Sequence, residues 1–338
     1  MTPRDRVKKA LTFDSPDRPP RDLWTLPGVP KFGTTELAEM LERYPVDFAE
    51  DNGARYGTSE RAVPLTGDTG TYVDNWGCVW HVGEPGVAGE VKEFPIKSWS
   101  DLASYKPPRE LIRNADMSGV AQACESTKKY VRAGTEVRPF ERMQFLRGSE
   151  QLFMDLAYGD REIYELRDML HEFYCEELTM WAKTDVDAIQ FMDDWGAQHA
   201  LLISPEMWRS FYKPLYREYA EIIRGSGKDV FFHSDGHIEA IYPDLVEIGV
   251  TAVNSQLFCM DIEALADQYK GKITFWGEID RQYLLPFGTE NEVRAGVQRV
   301  RKALDDGTGG VIAQCEWGMH DPAENVAAVY DEWLKPLE

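Results

Sequence analysis

The sequence predicts an α/β fold of the (β/α)8 or TIM-barrel type, with an N-terminal extension and an inserted β-hairpin. Eight short apolar segments, near residues 22, 46, 130, 188, 230, 252, 273 and 311, have the character of strands. From residue 100 onward they alternate with helical patterns, which indicates parallel strands joined by right-handed crossovers. Eight such units favour a closed barrel over an open sheet. No short repeat or low-complexity linker divides the chain, so we predict one domain over residues 1–338.

The N-terminal extension precedes the first barrel strand. Residues 2–11 follow an amphipathic helical pattern, and the prolines of residues 14–21 require an extended or turning backbone. The first strand is predicted at residues 22–26, and Thr34 or Thr35 can cap the helix that follows it. Residues 45–48 are predicted as the second strand.

Residues 71–95 have a different composition from the barrel units. Residues 71–82 are rich in strand-forming side chains, a turn with Gly and Pro follows, and residues 89–94 again suit a strand. This pattern predicts a β-hairpin inserted into a loop. We interpret His81 as a half-exposed residue of that hairpin.

The remaining chain predicts helices between the later strands. Pro205, preceded by Ser204, is typical of a helix start. The predicted helices cover residues 110–128, 149–155, 161–183, 205–224, 238–248, 262–269, 291–304 and 322–337.

Composition excludes several classes of function. The formal net charge is -21, from 37 basic and 58 acidic residues, so a nucleic-acid partner is not expected. No apolar run approaches the length of a membrane span, and the polar N-terminus does not resemble a secretory signal. A cytoplasmic location is therefore expected. The five cysteines show no CxxC spacing, which argues against a disulfide framework or a self-contained zinc ribbon.

Polar side chains follow five consecutive predicted strands. In a parallel barrel these positions share one rim, which is where catalytic groups lie. The segments are Asp193–Gly196, His233–Gly236, Asn254–Gln256, Gly277–Asp280 and Cys315–Trp317.

His233, Asp235 and Cys315 are the predicted metal ligands. His233 and Asp235 are two residues apart, so in extended backbone both side chains point the same way. Asp235 would then bind the same ion as His233 or orient its ring. Cys315 by itself suits a buried core position, but at the rim it would supply a thiolate ligand to the ion bound by His233. Zinc accepts such mixed nitrogen, oxygen and sulfur ligands, and three of them leave a position open for substrate.

Three acidic residues are predicted to be catalytic. Glu278 would be a fourth metal ligand or a general acid, and the alternative for it is a salt bridge within the rim. Asp193 and Asp194 diverge on extended backbone, so we expect one of them to face the barrel axis. That carboxylate would contact the substrate or protonate its leaving oxygen.

Other rim residues are predicted to bind substrate or to have structural roles. Trp195, Gln256, Trp276 and Trp317 are the candidate substrate-binding residues, although aromatic side chains at strand ends also serve as packing. His237 and His320 precede predicted helices and suit structural roles. No GxGxxG or Walker-type motif follows a strand, so no nucleotide site is expected.

In order and spacing, these segments resemble the uroporphyrinogen decarboxylase superfamily. The resemblance is carried by residues 4–11 with 16–19, by Asp193-Asp194-Trp195-Gly196 with residues 203–208, and by the segments at His233, Gly277 and Cys315. It extends over nearly the whole chain and implies the barrel fold.

The resemblance implies one of two kinds of enzyme. The decarboxylases bind a tetrapyrrole with many carboxylates, without metal, through an arginine-rich N-terminal segment. Here the corresponding residues 23–29 contain no arginine. The methyltransferases hold zinc on an H-x-C motif and a distant Cys, and they exchange a methyl group between a small molecule and a corrinoid (cobalamin) on a partner protein.

This sequence keeps His233 and Cys315 but has Asp235 at the position of the middle Cys of that motif. An oxygen-rich zinc site is a harder Lewis acid, better suited to an ether oxygen than to a thiol. The resemblance therefore predicts a zinc-dependent corrinoid methyltransferase that demethylates a small, methoxylated donor. The alternatives are a metal-free decarboxylase or lyase that uses Asp193, and a non-catalytic barrel that docks a corrinoid protein.

Overall fold

The predicted barrel is confirmed. The computed structural model describes residues 1–336, and seven of its strands form one parallel sheet in the order β1-β10-β9-β8-β7-β6-β5. In chain order the strands are β1 (Arg21–Thr25), β2 (Gly70–Val73), β3 (Val79–Val82), β4 (Glu90–Glu93), β5 (Arg132–Gly134), β6 (Ala188–Met192), β7 (Asp229–Ser234), β8 (Ala252–Ser255), β9 (Thr274–Trp276) and β10 (Val311–Trp317).

Helices cover the outer face of this sheet, except for the first helix, whose Val7 and Leu11 belong to the cluster inside the barrel. They are α1 (Pro3–Leu11), α2 (Gly28–Phe32), α3 (Thr34–Arg43), α4 (Trp99–Leu102), α5 (Glu110–Arg113), α6 (Val120–Ser126), α7 (Pro139–Arg147), α8 (Ser149–Tyr158), α9 (Arg161–Ala182), α10 (Pro205–Met207), α11 (Lys213–Gly225), α12 (Tyr242–Ile248), α13 (Ile262–Tyr269), α14 (Leu284–Phe287), α15 (Glu290–Leu304) and α16 (Ala323–Trp333). No helix within residues 1–336 combines the length and apolar character that crossing a membrane requires.

The eighth barrel position is filled by a short segment instead of the predicted second strand. Phe48 forms an isolated parallel bridge with Tyr130, just before β5. On the other side, the backbone N–H of Asp47 donates to the carbonyl of Arg21 in β1 (2.9 Å). These contacts close the barrel between its two edge strands.

Buried ion pairs hold this closing segment in place. The Asp47 carboxylate accepts hydrogen bonds from Arg6 Nη1 (2.6 Å), Arg18 Nη1 (2.8 Å) and the backbone N–H of Arg21 (2.6 Å). Asp47 is almost completely buried, so its charge requires these partners. The N-terminal extension thus supplies the cations that secure the seam of the barrel.

The inward and outward faces of the strands form two separate cores. Alternate strand residues point to opposite faces of the sheet. The inward cluster contains Val7, Leu11, Phe48, Tyr130, Ala188, Phe231, Ala252, Trp276 and Ile312. The outward side chains, such as Phe232 and Ala313, belong to the larger cluster that the helices cover.

Three further predicted elements differ from the structure. The predicted helix at residues 110–128 is two short helices, α5 and α6, separated by residues 114–119. The predicted hairpin at residues 71–95 is a three-stranded antiparallel sheet in the order β2-β3-β4, because the backbone turns at Asp74–Gly77, within what was expected to be one long strand. The predicted helix at residues 205–224 is interrupted by a π-helical turn at Trp208–Tyr212. Pro214 follows that turn and has no N–H for a regular helical hydrogen bond.

Helix α9 buries one acidic side chain. Glu177 is fully buried, and its carboxyl accepts hydrogen bonds from the Tyr56 hydroxyl and from the backbone N–H of Glu136 (2.9 Å). Burial and the nearby Glu136 carboxylate raise the pKa of Glu177 from 4.5 to about 8. The folded chain therefore keeps this proton at neutral pH, whereas the unfolded chain releases it.

This proton makes stability depend on pH. Between the two pKa values the folded state binds more protons than the unfolded state, so stability falls as pH rises, by at most about 1.4 kcal/mol per pH unit. We expect Glu177→Gln to flatten this decline between about pH 5 and 8, measured by urea denaturation. Glu172→Gln on the same helix, where the side chain is 76% exposed, should keep the wild-type slope. Equal slopes for Glu177→Gln and the wild type would contradict this assignment.

Candidate functional site

Strand register brings the polar strand ends together. In the parallel pairs, Met192 of β6 lies beside His233 of β7, which lies beside Asn254 of β8. His233 Nδ1 is 2.6 Å from Asn254 Oδ1. Because the Asn254 amide donates its own N–H to the Trp276 carbonyl (2.5 Å), its oxygen faces the imidazole. The hydrogen-bond network therefore assigns the proton to Nδ1 and leaves Nε2 facing the centre of the rim.

Two carboxylates lie beside that nitrogen. His233 Nε2 is 3.6 Å from Asp194 Oδ1 and 3.5 Å from Asp235 Oδ1. The His233 ring is buried, whereas the side chains of Asp194 and Asp235 are 39% and 31% exposed, so the cluster opens to solvent on its carboxylate side. Burial disfavours the imidazolium, but Asp194, Asp235 and the more distant Glu278 outweigh it and raise the pKa of His233.

Arg281 joins this cluster to three acidic groups. Its guanidinium pairs with Asp235 Oδ2 and Glu316 Oε1, and its Nε lies 3.5 Å from Glu278 Oε2. Because Arg281 holds Oδ2 of Asp235, the other oxygen of that carboxylate is directed toward His233. Arg281 therefore positions Asp235 and offsets part of the negative charge of the rim.

Glu278 is a buried acid with spare hydrogen-bonding capacity. The residue is 1% exposed, and neither carboxyl oxygen has a hydrogen-bond partner among residues 1–336. Burial raises its pKa to about 7, with Arg281 and His233 opposing the rise and Asp235 adding to it. A carboxyl group with this pKa can hold and release a proton near neutral pH.

Three contributors to the site, Arg281, Glu141 and Trp24, were not predicted from the sequence. Glu141 lies near the end of β6, and burial together with the Asp194 charge raises its pKa to about 7. It belongs to α7, so no strand-end pattern indicates it. The Trp24 ring is 5.1 Å from the His233 ring and covers the inner side of the imidazole. Trp24 lies in β1, and its inward position could have been found from strand alternation.

The structure separates the two adjacent aspartates. Asp193 is fully buried, and its oxygens accept the backbone N–H groups of Phe140 and Glu141, each at 2.8 Å, as well as the Tyr216 hydroxyl. It thereby caps the start of α7. The catalytic role of Asp193 stays a prediction, and in this geometry its carboxylate is committed to holding that helix. Asp194 is the aspartate that reaches His233.

The predicted metal ligand Cys315 also lies elsewhere. Ile312, in the same strand, belongs to the inward core, so Cys315 three residues later points outward. Its thiol is fully buried and lies 3.6 Å from the Tyr330 hydroxyl of α16. The ligand atoms that lie within 4.8 Å of one another at His233 come from Asp194, His233 and Asp235, and Cys315 Sγ is not one of them. The prediction that His233 and Cys315 bind one ion is therefore wrong.

Three predicted substrate-binding tryptophans are structural. Trp195 is buried, stacks on Phe140 and donates to the Tyr216 hydroxyl (3.1 Å). Trp276 lies inside the barrel and donates to Asp22 (3.0 Å). Trp317 faces outward and donates to the backbone carbonyl of Asp321 (3.0 Å). Their burial explains the error, since aromatic residues at these strand ends complete the core.

Gln256, the fourth predicted substrate-binding residue, lines a small cleft next to Glu278 and Arg281. The cavity volume of this cleft is about 40 Å³. Its other lining residues include Gln198, Cys259, Asp280 and Tyr283. The side-chain oxygen of Gln256 accepts the backbone N–H of Gly236 (2.9 Å), which fixes one wall of the cleft.

The donor set at His233 fits a divalent metal ion. One atom each of Asp194, His233 and Asp235 lie within 4.8 Å of one another. Tetrahedral zinc with bonds of about 2.0–2.1 Å needs ligand atoms about 3.3 Å apart, close to the distances measured from His233 Nε2. Asp235 Oδ1 is buried and has no hydrogen-bond partner within the described part of the chain. One nitrogen and two carboxylate oxygens suit zinc or a harder ion.

Comparisons with known proteins agree with the barrel. The family model described as uroporphyrinogen decarboxylase (URO-D) matches residues 65–333. No curated protein gives a significant match.

Solved structures match over most of the chain. A methyltransferase from Methanosarcina mazei is similar with a TM-score of 0.71 and 15% identity, covering 98% of this chain and 98% of that chain. An endo-β-1,4-xylanase from Gloeophyllum trabeum gives a TM-score of 0.41 and 10% identity, covering 65% of this chain and 81% of that chain. A 3-keto-D-glucoside 4-epimerase from E. coli gives a TM-score of 0.41 and 14% identity over 72% and 95% of the two chains. At 15% identity, the similarity to the methyltransferase supports the fold of this chain and not its activity.

The different roles of the adjacent aspartates can be tested by stability. We expect Asp193→Ala to lower the free energy of unfolding by about 2–3 kcal/mol, because it leaves buried helix N–H groups and Tyr216 without their acceptor. Asp194→Asn should change it by less than about 0.5 kcal/mol, since that side chain is partly exposed and an amide oxygen can still accept. Urea denaturation of both variants provides the measurement. Similar losses for the two would contradict the assignment.

Proposed function

This chain belongs to the uroporphyrinogen decarboxylase family. Within that family, we propose that it is a methyltransferase. It would move the methyl group of a small methoxylated donor to the corrinoid of a partner protein. In this proposal zinc binds to Asp194, His233 and Asp235. The observation that carries it is the convergence of these three donor atoms beside a small cleft at the carboxyl ends of the strands.

The residues of the rim have distinct roles in this proposal. Asn254 fixes the His233 tautomer so that Nε2 can bind the ion, and Arg281 turns one oxygen of Asp235 toward it. The bound zinc would act as a Lewis acid on the ether oxygen of the donor. Sulfur is absent from this ligand set, which favours an oxygen-containing donor over a thiol.

Glu278 supplies the proton that demethylation needs. Breaking the carbon–oxygen bond would leave the bonding electrons on the oxygen, and the corrinoid of the partner protein would supply the acceptor for the methyl group. That oxygen must then take up a proton. Glu278 borders the cleft, and in the metal-free site its raised pKa of about 7 leaves about half of its carboxyl groups protonated at neutral pH. Water in the cleft would later restore the proton to the carboxyl group.

The decarboxylase alternative finds less support at the rim. A substrate with many carboxylates needs unpaired cations around it. Arg132, inside the barrel, pairs with Asp22 (3.1 Å) and stacks near three aromatic rings. Arg281 already pairs with three acidic side chains. These two arginines are therefore committed to the chain's own carboxylates, which favours a neutral or cationic substrate.

Zinc content tests the metal site. The protein is treated with chelator, reloaded with zinc and dialysed, and the bound metal is measured by mass spectrometry. We expect His233→Ala and Asp194→Asn each to bind about one equivalent less than the wild type, because each loses a ligand. Cys315→Ser is the matched control and should bind as much zinc as the wild type, since that thiol faces helix α16. Loss of zinc in Cys315→Ser, or equal binding in all variants, would contradict the assignment.

Methyl transfer tests the activity. The zinc-loaded protein is mixed with reduced cobalamin and a panel of methoxylated aromatic compounds, and methylcobalamin is followed by its absorbance. We expect transfer from at least one donor, and a loss of at least about a hundredfold in Glu278→Gln, which lacks the proton. Turnover of a porphyrinogen by metal-free protein would favour the decarboxylase. Corrinoid-protein binding without transfer from any donor would favour the non-catalytic barrel.

A further inference from the structure

A second group of potential metal ligands lies on the outer helices, away from the barrel rim. His171 and Cys175 are one turn apart on α9, and Glu218 faces them from α11. We propose that these three side chains form a separate site for a divalent metal ion of the zinc type. This proposal does not depend on the methyltransferase assignment.

The ligand atoms are already close to the arrangement that zinc needs. Cys175 Sγ is 3.7 Å from His171 Nε2 and 3.7 Å from Glu218 Oε1. With bonds of about 2.3 Å to sulfur and 2.0–2.1 Å to nitrogen or oxygen, tetrahedral zinc needs these atoms about 3.5 Å apart. His171 Nε2 also lies 2.9 Å from Glu218 Oε2, and Cys175 Sγ is equally far, 3.7 Å, from both ring nitrogens of His171, so small rotations of the imidazole and the carboxylate are required.

A hydrogen bond from the neighbouring core orients the imidazole. His171 Nδ1 is 3.1 Å from the hydroxyl of Tyr219, which is completely buried. A ligating imidazole donates its other N–H to such an oxygen, which directs Nε2 toward the ion. Both helices are regular at these positions, so the ligands stand on rigid elements.

The site is accessible from solution and has an open coordination position. The side chains of His171 and Glu218 are 23% and 55% exposed. Three protein ligands leave room for water or for a ligand from a partner.

An activated cysteine nucleophile is the competing interpretation. It requires a stabilised thiolate, whereas the negatively charged Glu218 carboxylate lies 3.7 Å from Cys175 Sγ and disfavours a second negative charge there. A metal ion is the partner that would turn this thiol into a thiolate. The geometry and the charge of Glu218 therefore favour metal binding over nucleophilic catalysis.

A metal at this position would couple α9 to α11. Helix α11 packs on β7, which carries His233, and its Tyr216 holds Asp193 at the end of β6. An ion that binds only the folded state stabilises it by mass action. The site would therefore strengthen the scaffold behind the rim without contacting the substrate.

Cobalt spectroscopy tests the proposal on the full chain. The metal-free protein is titrated with cobalt(II) chloride, and absorbance is recorded in the near ultraviolet, where thiolate-bound cobalt absorbs strongly. We expect a thiolate band in the wild type that is lost in Cys175→Ser and at least tenfold weaker in His171→Ala. The same band should persist in His233→Ala, which removes only the rim site.

Cys259→Ser is the matched control, because Cys259 is also a partly buried cysteine and lies beside the rim cleft. It should keep the band. A thermal-shift titration with zinc, carried out in the His233→Ala background, should raise Tm for His233→Ala alone but not for the double variant with Cys175→Ser. Absence of a thiolate band in the wild type, or an unchanged band in Cys175→Ser, would overturn the proposal.

Discussion

The in-register parallel pairing of β6, β7 and β8 is the constraint on which the rest of the site depends. It sets Met192, His233 and Asn254 side by side, so that Asn254 orients the imidazole and the aspartates that follow β6 and β7 meet its free nitrogen. A slip of one residue would turn His233 toward the helices, because alternate side chains point to opposite faces. The register in turn requires a closed barrel, which the buried Asp47 carboxylate secures at the seam.

Most of the fold could be predicted because apolar strands and helical periods alternate regularly after residue 100. The segment at Phe48 was predicted as a strand, yet it forms only a bridge. Its position is fixed by hydrogen bonds from Arg6 and Arg18 to Asp47, and pairings between residues so far apart in the sequence leave no periodic signal. The three-stranded insertion was missed for a local reason, since the turn-forming residues Asp74, Asn75 and Gly77 lie inside a segment that is otherwise rich in strand formers.

The candidate site was predicted at the correct rim, but side-chain direction decided which residues belong to it. Strand alternation separates His233, which faces inward, from Cys315, which faces outward to Tyr330. That alternation was available in the sequence, because Ile312 and Cys315 are an odd number of positions apart and so lie on opposite faces. Glu141 could not be found in this way, because a helix from another unit brings it to the site.

The charges of the rim explain why it suits a cation. Asp194, Asp235, Glu278 and Glu316 surround a single guanidinium and one imidazole, within a protein that already carries a net charge of -21. These acidic groups respond to burial in two ways. Asp235 and Glu316 pair with Arg281. Burial raises the pKa of Glu278, which can then hold a proton. A divalent ion would favour the ionised carboxylate, as Arg281 does, so metal occupancy and proton release at this rim are coupled. Metal binding would therefore promote release of the proton that Glu278 holds in the metal-free rim.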